Sequence, residues 1–376
     1  MSIELFGCTP GPYNALMDVP GLGVGHAICE GGQGDSGVTV IAAPGGALAS
    51  VDVRGGGPGT RETDLLAPAN TVQAVHAVAL CGGSSFGLDA AAGSMSELES
   101  RGIGFPVLGP EHPENVVPIV PAAVIFDLLL GRWDSRPDQA TGRAATAAAL
   151  EAAQERGSAE ALRESGALAS GNVGAGLGAA AGALKGGVGQ ASAVFPAGGP
   201  LGGVVVSALV VANPQGGVFD PRTGQPWALA AELGDEFRGY PLGDGDGVGR
   251  GAVATLKNMN LMGTKITEEQ LNTTIGVVAT TAALDKAQAQ RVAMSSHDGL
   301  ARAIRPAHMP MDGDTLFTLA TGEDDRAVGP KEMSMISAVA ANVVERAIGH
   351  AVLAATGTFG VPSWQEVVAG DGHTED

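Results

Sequence analysis

Glycine occupies 59 of the 376 positions, and aromatic residues make up only 4% of the chain. An average protein carries roughly 7% glycine. A chain of this kind folds by letting backbone approach backbone, with small side chains at the contacts and tight turns that glycine adopts at no steric cost. The glycines follow no three-residue period, so a collagen-like helix is excluded. Hydrophobic residues reach 44%, enough to build a large core rather than a disordered chain. Glycine is densest at 31–37, 54–59, 171–190 and 241–252, which read as loops or tight turns because apolar residues interleave with most of them.

Charge narrows the function. Twenty-one Lys and Arg stand against 40 Asp and Glu, a formal net charge of −19. Such a chain has no electrostatic footprint for a phosphate backbone and is repelled by anionic membrane surfaces, so neither nucleic acid nor membrane is an expected partner. The longest apolar stretches, Val116–Leu130 and Gly202–Ala212, are too short or too interrupted to span a bilayer. Cys8, Cys29 and Cys81 form no CxxC, and an odd count is a poor disulfide framework. The seven histidines contain no HxxxH pair, so no metal pattern and no cofactor motif is expected. The N-terminus lacks a basic head followed by an apolar core. A cytoplasmic protein is expected.

Short runs rich in Val, Ile and Thr read as buried strands at Val38–Ala43, Ala74–Cys81, Gly203–Ala212, Thr274–Thr281 and Thr315–Ala320. Asp138–Ala167 has helical composition. Ala282–Ile304 and Met333–Thr356 repeat apolar residues every three or four positions, as helices do. The tail after Pro362 is expected to be solvated. Alternating strands and helices without an internal repeat imply a layered α/β or α+β domain.

Two motifs carry chemistry. Gly83-Ser-Ser-Phe-Gly87 fits G-x-S-x-G between a strand and a helix, the setting in which a strained turn exposes a nucleophilic serine. Ser85 would then need Asp298 or Asp312 with His308 or His350. The competing reading is a glycine turn whose serine caps the next helix. The second motif is Asn272-Thr273-Thr274 at the start of an apolar strand, followed about 40 residues later by Asp312-Gly313-Asp314. Carboxylates two apart face the same side of an extended chain; the competing reading is a turn held by its own side chains. The glycine turns at Gly21 and Gly174 match neither nucleotide-binding fingerprint.

Seven blocks in order resemble the self-processing N-terminal-nucleophile peptidases, the family of the D-aminopeptidase/L-aminopeptidase-esterases, β-peptidyl aminopeptidases and nylon-oligomer (6-aminohexanoate oligomer) hydrolases. The blocks begin at Asn14-Ala-Leu-Met-Asp-Val-Pro-Gly, Asp52-Val-Arg-Gly-Gly-Gly-Pro-Gly-Thr-Arg-Glu-Thr, Gly82-Gly-Ser-Ser-Phe-Gly-Leu-Asp-Ala, Gly171-Asn-Val-Gly-Ala-Gly, Val211-Ala-Asn-Pro-Gln-Gly, Asn272-Thr-Thr-Ile-Gly-Val-Val and His297-Asp-Gly-Leu-Ala-Arg-Ala-Ile, the last running on to Met311-Asp-Gly-Asp-Thr-Leu-Phe. The resemblance implies an α+β fold, a four-layer αββα sandwich of the D-aminopeptidase/ornithine acetyltransferase type. It implies one domain over 1–376, cut by itself between Asn272 and Thr273 into an α chain of residues 1–272 and a β chain of residues 273–376. A homotetramer of these αβ units and a small peptide or amide substrate follow from the same resemblance, as do four roles. Thr273 is the nucleophile, Asn213 the oxyanion-hole amide, and Asp312 and Asp314 orient and balance the threonine. Ser84 and Ser85 become a capping turn near the site.

Two positions depart from the family. Some members carry Tyr where this chain has Phe126. The nylon-oligomer hydrolases carry a Lys where Ala183 stands here, with Lys185 two residues on. Two other activities use related parts: acyl transfer of the ornithine acetyltransferase type, which shares the fold and a threonine nucleophile, and a serine esterase acting through Ser85.

Overall fold

The computed structural model describes residues 5–29, 35–109, 111–112, 114–155, 157–243, 247–259 and 272–370. Parts of the glycine-rich stretches at 31–37 and 241–252, and the end of the tail, lie outside them.

Nine strands form one hydrogen-bonded sheet in the order β10-β11-β12-β13-β2-β4-β7-β3, with β1 also paired to β2. Their ranges are β1 Gly23–Ile28, β2 Gly37–Val53, β3 Thr60–Arg61, β4 Ala74–Cys81, β7 Ala122–Val124, β10 Gly187–Val194, β11 Val205–Ala212, β12 Ile275–Ala282 and β13 Thr315–Asp324. Two small hairpins stand apart, β5 Phe105–Pro106 with β6 Val116–Val117, and β8 Ala180–Ala181 with β9 Leu184–Lys185. The helices are α1 Ala90–Ser100, α2 Gln139–Gln154, α3 Ala159–Glu164, α4 Arg250–Asn258, α5 Lys286–Ala303, α6 Pro330–Leu353 and α7 Trp364–Gly370.

The period-2 alternation of the strands sorts side chains into three stacked cores. Ala208 and Val210 of β11, Val278 of β12 and Leu316 of β13 pack under α5 and α6. Their neighbours Leu209, Val211, Val277 and Phe317 face the other way and meet Ile41, Val78 and Leu80. Val38, Val40, Ala77 and Ala79 then pack on α1 and α2. Three cores between four layers give helix, sheet, sheet, helix, so the fold is α+β and αββα as expected. The two sheet layers are continuous through β2, whose 17 residues carry a bulge between Ala42 and Ala47.

Glycine is where the layers press closest. A Cβ on Gly25 would collide with the Ala145 carbonyl of α2, and one on Gly189 with the Ala347 carbonyl of α6. Backbone therefore lies directly on backbone at both outer interfaces.

All five expected strands are present. Three corrections follow from local chemistry. The helical stretch 138–167 is two helices, because the chain turns at Gly157 and restarts with Ser158, whose hydroxyl accepts the Ala161 N–H. The stretch 171–190 is not all loop: Gly187–Val194 is a fully paired strand, glycine there being required by helix contact rather than by a turn. The chain after Pro362 does not fray at once, since Trp364 is buried and its indole N–H donates to the Gly224 carbonyl at 2.8 Å.

Candidate active site

Strand directions bring distant segments to one edge of the sheet. β11 runs antiparallel to β12, so Asn213, just past the end of β11, lies beside Thr273, just before β12. β12 and β13 are parallel, so Asp312 and Asp314 arrive at the same edge. β13 is antiparallel to β2, which adds Asp52 and Arg54.

Asn272 and Thr273 are buried, and the peptide between them is clamped from both sides. On one side Asn272 pairs with Asp312 in a parallel bridge. The Asn272 N–H donates to the Met311 carbonyl at 3.1 Å, and the Gly313 N–H donates to the Asn272 carbonyl oxygen at 2.9 Å. On the other side the Thr273 N–H donates to the Asn213 carbonyl at 3.0 Å. The Thr273 hydroxyl itself donates to the Asn272 carbonyl oxygen at 2.6 Å. The hydroxyl thus rests against the carbonyl of the bond preceding it, and a backbone amide is already aimed at that carbonyl's oxygen, where charge would develop on attack.

The Asn213 side chain braces two neighbouring segments. Its Oδ1 accepts the Ala180 N–H at 3.0 Å, and its Nδ2 donates to the Phe126 carbonyl at 3.3 Å. The Lys185 ammonium is buried and donates to the carbonyls of Gly176, Ala179 and Gly186 at 3.1, 2.7 and 3.0 Å. Lys185 therefore ties down the loop and hairpin that present Ala180 to Asn213. Phe126 supplies a backbone acceptor and a ring; no phenol hydroxyl is available there.

The two aspartates differ. Asp314 Oδ1 accepts the Thr274 N–H at 2.8 Å. Its Oδ2 accepts from both the backbone N–H of His308, at 3.2 Å, and the His308 Nδ1, at 2.7 Å. Asp312 Oδ2 accepts the Met309 N–H at 2.9 Å. Burial, reinforced by the neighbouring Asp314 carboxylate, pushes the Asp312 carboxyl up to about 6.

A cavity of about 160 Å³ opens beside Thr273, lined also by Phe126, Val124, Pro58, Ser84 and Ser85 among others. The sequence-derived residues around Thr273 thus converge. The serine turn is formed by Gly83 in the left-handed region, and the Ser84 N–H donates to the Ile125 carbonyl. No side chain caps the helical turn that follows, nor α1 after it, which corrects the capping expectation. The triad needed by Ser85 is not assembled: the His308 Nε2 that would face the serine has no hydrogen-bond partner among the described residues, and the His350 Nε2 is on Glu236 at 2.8 Å. Among the described residues no group of three His, Cys, Asp or Glu could hold a metal. The three cysteines are free and buried.

Two participants were not legible as such. Gly313 acts through its backbone amide, which no side-chain motif announces. His308 is a candidate partner for serine in the sequence; in the structure it is bonded to Asp314, and the signal that finds this contact is the short turn linking it to the D-G-D block.

Comparison with known proteins gives the family and the fold. The model of peptidase family S58 matches residues 14–364. The chain is 44% identical over 369 residues to an uncharacterised aminopeptidase of Mycobacterium leprae, covering 94% of each chain. It is 30% identical over 314 residues to the 6-aminohexanoate-oligomer endohydrolase of Agromyces sp. (strain KY5R), covering 84% of this chain and 77% of that one. Its fold is similar to that of the L-aminopeptidase D-Ala-esterase/amidase of Ochrobactrum anthropi, a variant of the N-terminal-nucleophile hydrolase fold, with a TM-score of 0.63 at 21% identity over 96% of this chain and 90% of that one. With a family model spanning nearly its whole length and such relatives beside it, the chain belongs to peptidase family S58 and is a hydrolase of peptide or amide bonds.

Proposed function

We propose that the protein is a self-processing amidohydrolase whose nucleophile is Thr273. The observation that supports this best is the clamped Asn272–Thr273 peptide, with the hydroxyl and the Gly313 amide both on its carbonyl oxygen. In self-cleavage the Thr273 oxygen bonds to the Asn272 carbonyl carbon and the C–N bond breaks, leaving an ester and a free Thr273 amine. Water then hydrolyses the ester, giving an Asn272 carboxylate and restoring the hydroxyl.

The products are chains of 272 and 104 residues. The new α-amine, with an ordinary pKa of about 7.7–8.0, takes the hydroxyl proton when Thr273 attacks a substrate amide. It returns that proton to the departing amine. The acyl group stays on Thr273 as an ester until water releases it. Asn213 beside the nucleophile supplies polar contacts for the developing oxyanion, Asp314 holds the following peptide, and Lys185 steadies the loop behind Asn213.

The substrate is a short peptide or linear amide entering the cavity beside Thr273, the class named by the relatives. An acyl-acceptor enzyme of the ornithine acetyltransferase type is the alternative, and hydrolysis in the absence of any added amine acceptor excludes it. The decisive pair of variants is Thr273→Ala and Ser85→Ala, assayed on amino-acid p-nitroanilides and a 6-aminohexanoate oligomer. Thr273→Ala abolishes cleavage and turnover, whereas Ser85→Ala retains cleavage. Loss of turnover in Ser85→Ala with normal cleavage would transfer the role to serine.

A further inference from the structure

The residue that holds Asp314 is His308, in the stretch that joins the His297 segment to the D-G-D turn. His308 sits in the left-handed region, with φ +57°, a conformation that costs most side chains energy but is several-fold enriched in Asn, Asp and His. That backbone turn lets one residue make two bonds to one oxygen: its N–H at 3.2 Å and its Nδ1 at 2.7 Å both meet Asp314 Oδ2. A carboxylate only accepts, so Nδ1 carries the proton. The other carboxylate oxygen takes the Thr274 N–H at 2.8 Å. The chain of contacts is therefore His308, Asp314, the Thr274 amide, and the peptide that carries Thr273.

The His308 ring is itself held. His297 packs against it in a T-shaped contact, with ring centroids 4.9 Å apart. Burial pushes His297 down to about 4, so this neighbour is neutral near pH 7. His297 is anchored in turn through Nε2 to the Asp52 carbonyl at 3.1 Å, and Arg54 pairs with the Asp52 carboxylate at 2.7 Å. A path of packed groups thus runs from the end of β2 to the nucleophile.

We propose that His308 is a positioning residue for the Thr273 centre, fixing the Asp314 carboxylate and, through the Thr274 amide, the orientation of the nucleophile. The inference rests on Thr273 being that nucleophile. The two bonds to Asp314 offset the cost of the left-handed backbone at His308.

The test compares His308→Gly, which keeps the turn and loses the ring donor, with His308→Asn, which keeps both the turn and an amide donor near the Nδ1 position. Cleavage is followed over time after cell-free synthesis, and turnover is measured on the fully processed protein, with thermal melting as the folding control. His308→Gly slows cleavage and lowers kcat at least tenfold with KM within twofold, and His308→Asn restores both to within threefold of wild type. Equal rates in the two variants at matched melting temperature overturn the proposal. A second readout is independent of cleavage: in the ¹⁵N-labelled Thr273→Ala chain, an exchange-protected downfield imidazole proton is present and disappears on His308→Gly or Asp314→Asn. Absence of that proton overturns the proposal, whereas an uncleaved wild-type chain that shows it overturns self-processing alone.

Discussion

At the scale of single residues, the site is a set of buried polar groups whose bonds are fixed before any substrate arrives. Asp312 makes a pH-dependent contribution that can be measured. Its carboxyl is raised to about 6 by burial and by Asp314, against an ordinary value near 3.9. The folded chain therefore binds a proton there more tightly than the unfolded one. The stability this confers is full below about pH 4 and is lost as pH rises through about 6. In the uncleavable Thr273→Ala background, the melting temperature conferred by Asp312 falls relative to Asp312→Asn between pH 4 and 7. A difference that stays constant over that range contradicts the assignment. That Thr273, Asn213, Asp312 and Asp314 come together at one end of the strands is legible from their blocks and is what the structure shows. Bonding partners are not legible, because the contacts of Asn213 and Lys185 are almost all to backbone atoms of other segments, which leave no trace in side-chain spacing.

At the scale of elements, α6 is tied to the N-terminal segment by one buried ionic cluster. Arg346 forks onto Glu236 at 2.6 and 2.8 Å and reaches the Asn14 Oδ1 at 2.8 Å, while His350 meets the same glutamate at 2.8 Å. Burial raises the Glu236 pKa, but the bonds from His350 and Arg346 outweigh it and bring it down to about 2. Its stabilisation is present above about pH 4.5 and disappears as pH falls towards 2. Glu236→Gln leaves Arg346 buried without its counter-charge and costs about 3–5 kcal/mol at pH 7 in chemical denaturation. A loss below 1 kcal/mol would show that the cluster adds little. The five long apolar strands were legible from their Val, Ile and Thr content. β1 and β10 were hidden because glycine, read as loop, stands in these strands where helices α2 and α6 press on them. The expected strand ends at Ala43, whereas β2 bulges between Ala42 and Ala47 and continues to Val53.

At the scale of the whole molecule, the proposed cut falls at the edge of the sheet and leaves its centre intact. β12 lies between β11 and β13, and β13 pairs with β2. The 104-residue piece thus supplies two interior strands and the long helices α5 and α6 that cover one face. The two pieces are expected to elute as one particle in native size exclusion and to part only in denaturant. Separation under native conditions would be incompatible with this topology. Part of the glycine content finds its explanation here too, in helices lying directly on strand backbone at Gly23, Gly25 and Gly189, while other glycines take the left-handed backbone of turns.

The most direct measurement is the N-terminal sequence and intact mass of the purified protein. Self-processing at Thr273 predicts two chains of about 27 and 10 kDa, in proportion to 272 and 104 of the 376 residues. The smaller is expected to begin Thr-Thr-Ile-Gly-Val-Val, and cleavage to be lost in Thr273→Ala. A single 37.3 kDa chain that hydrolyses amide substrates would contradict it.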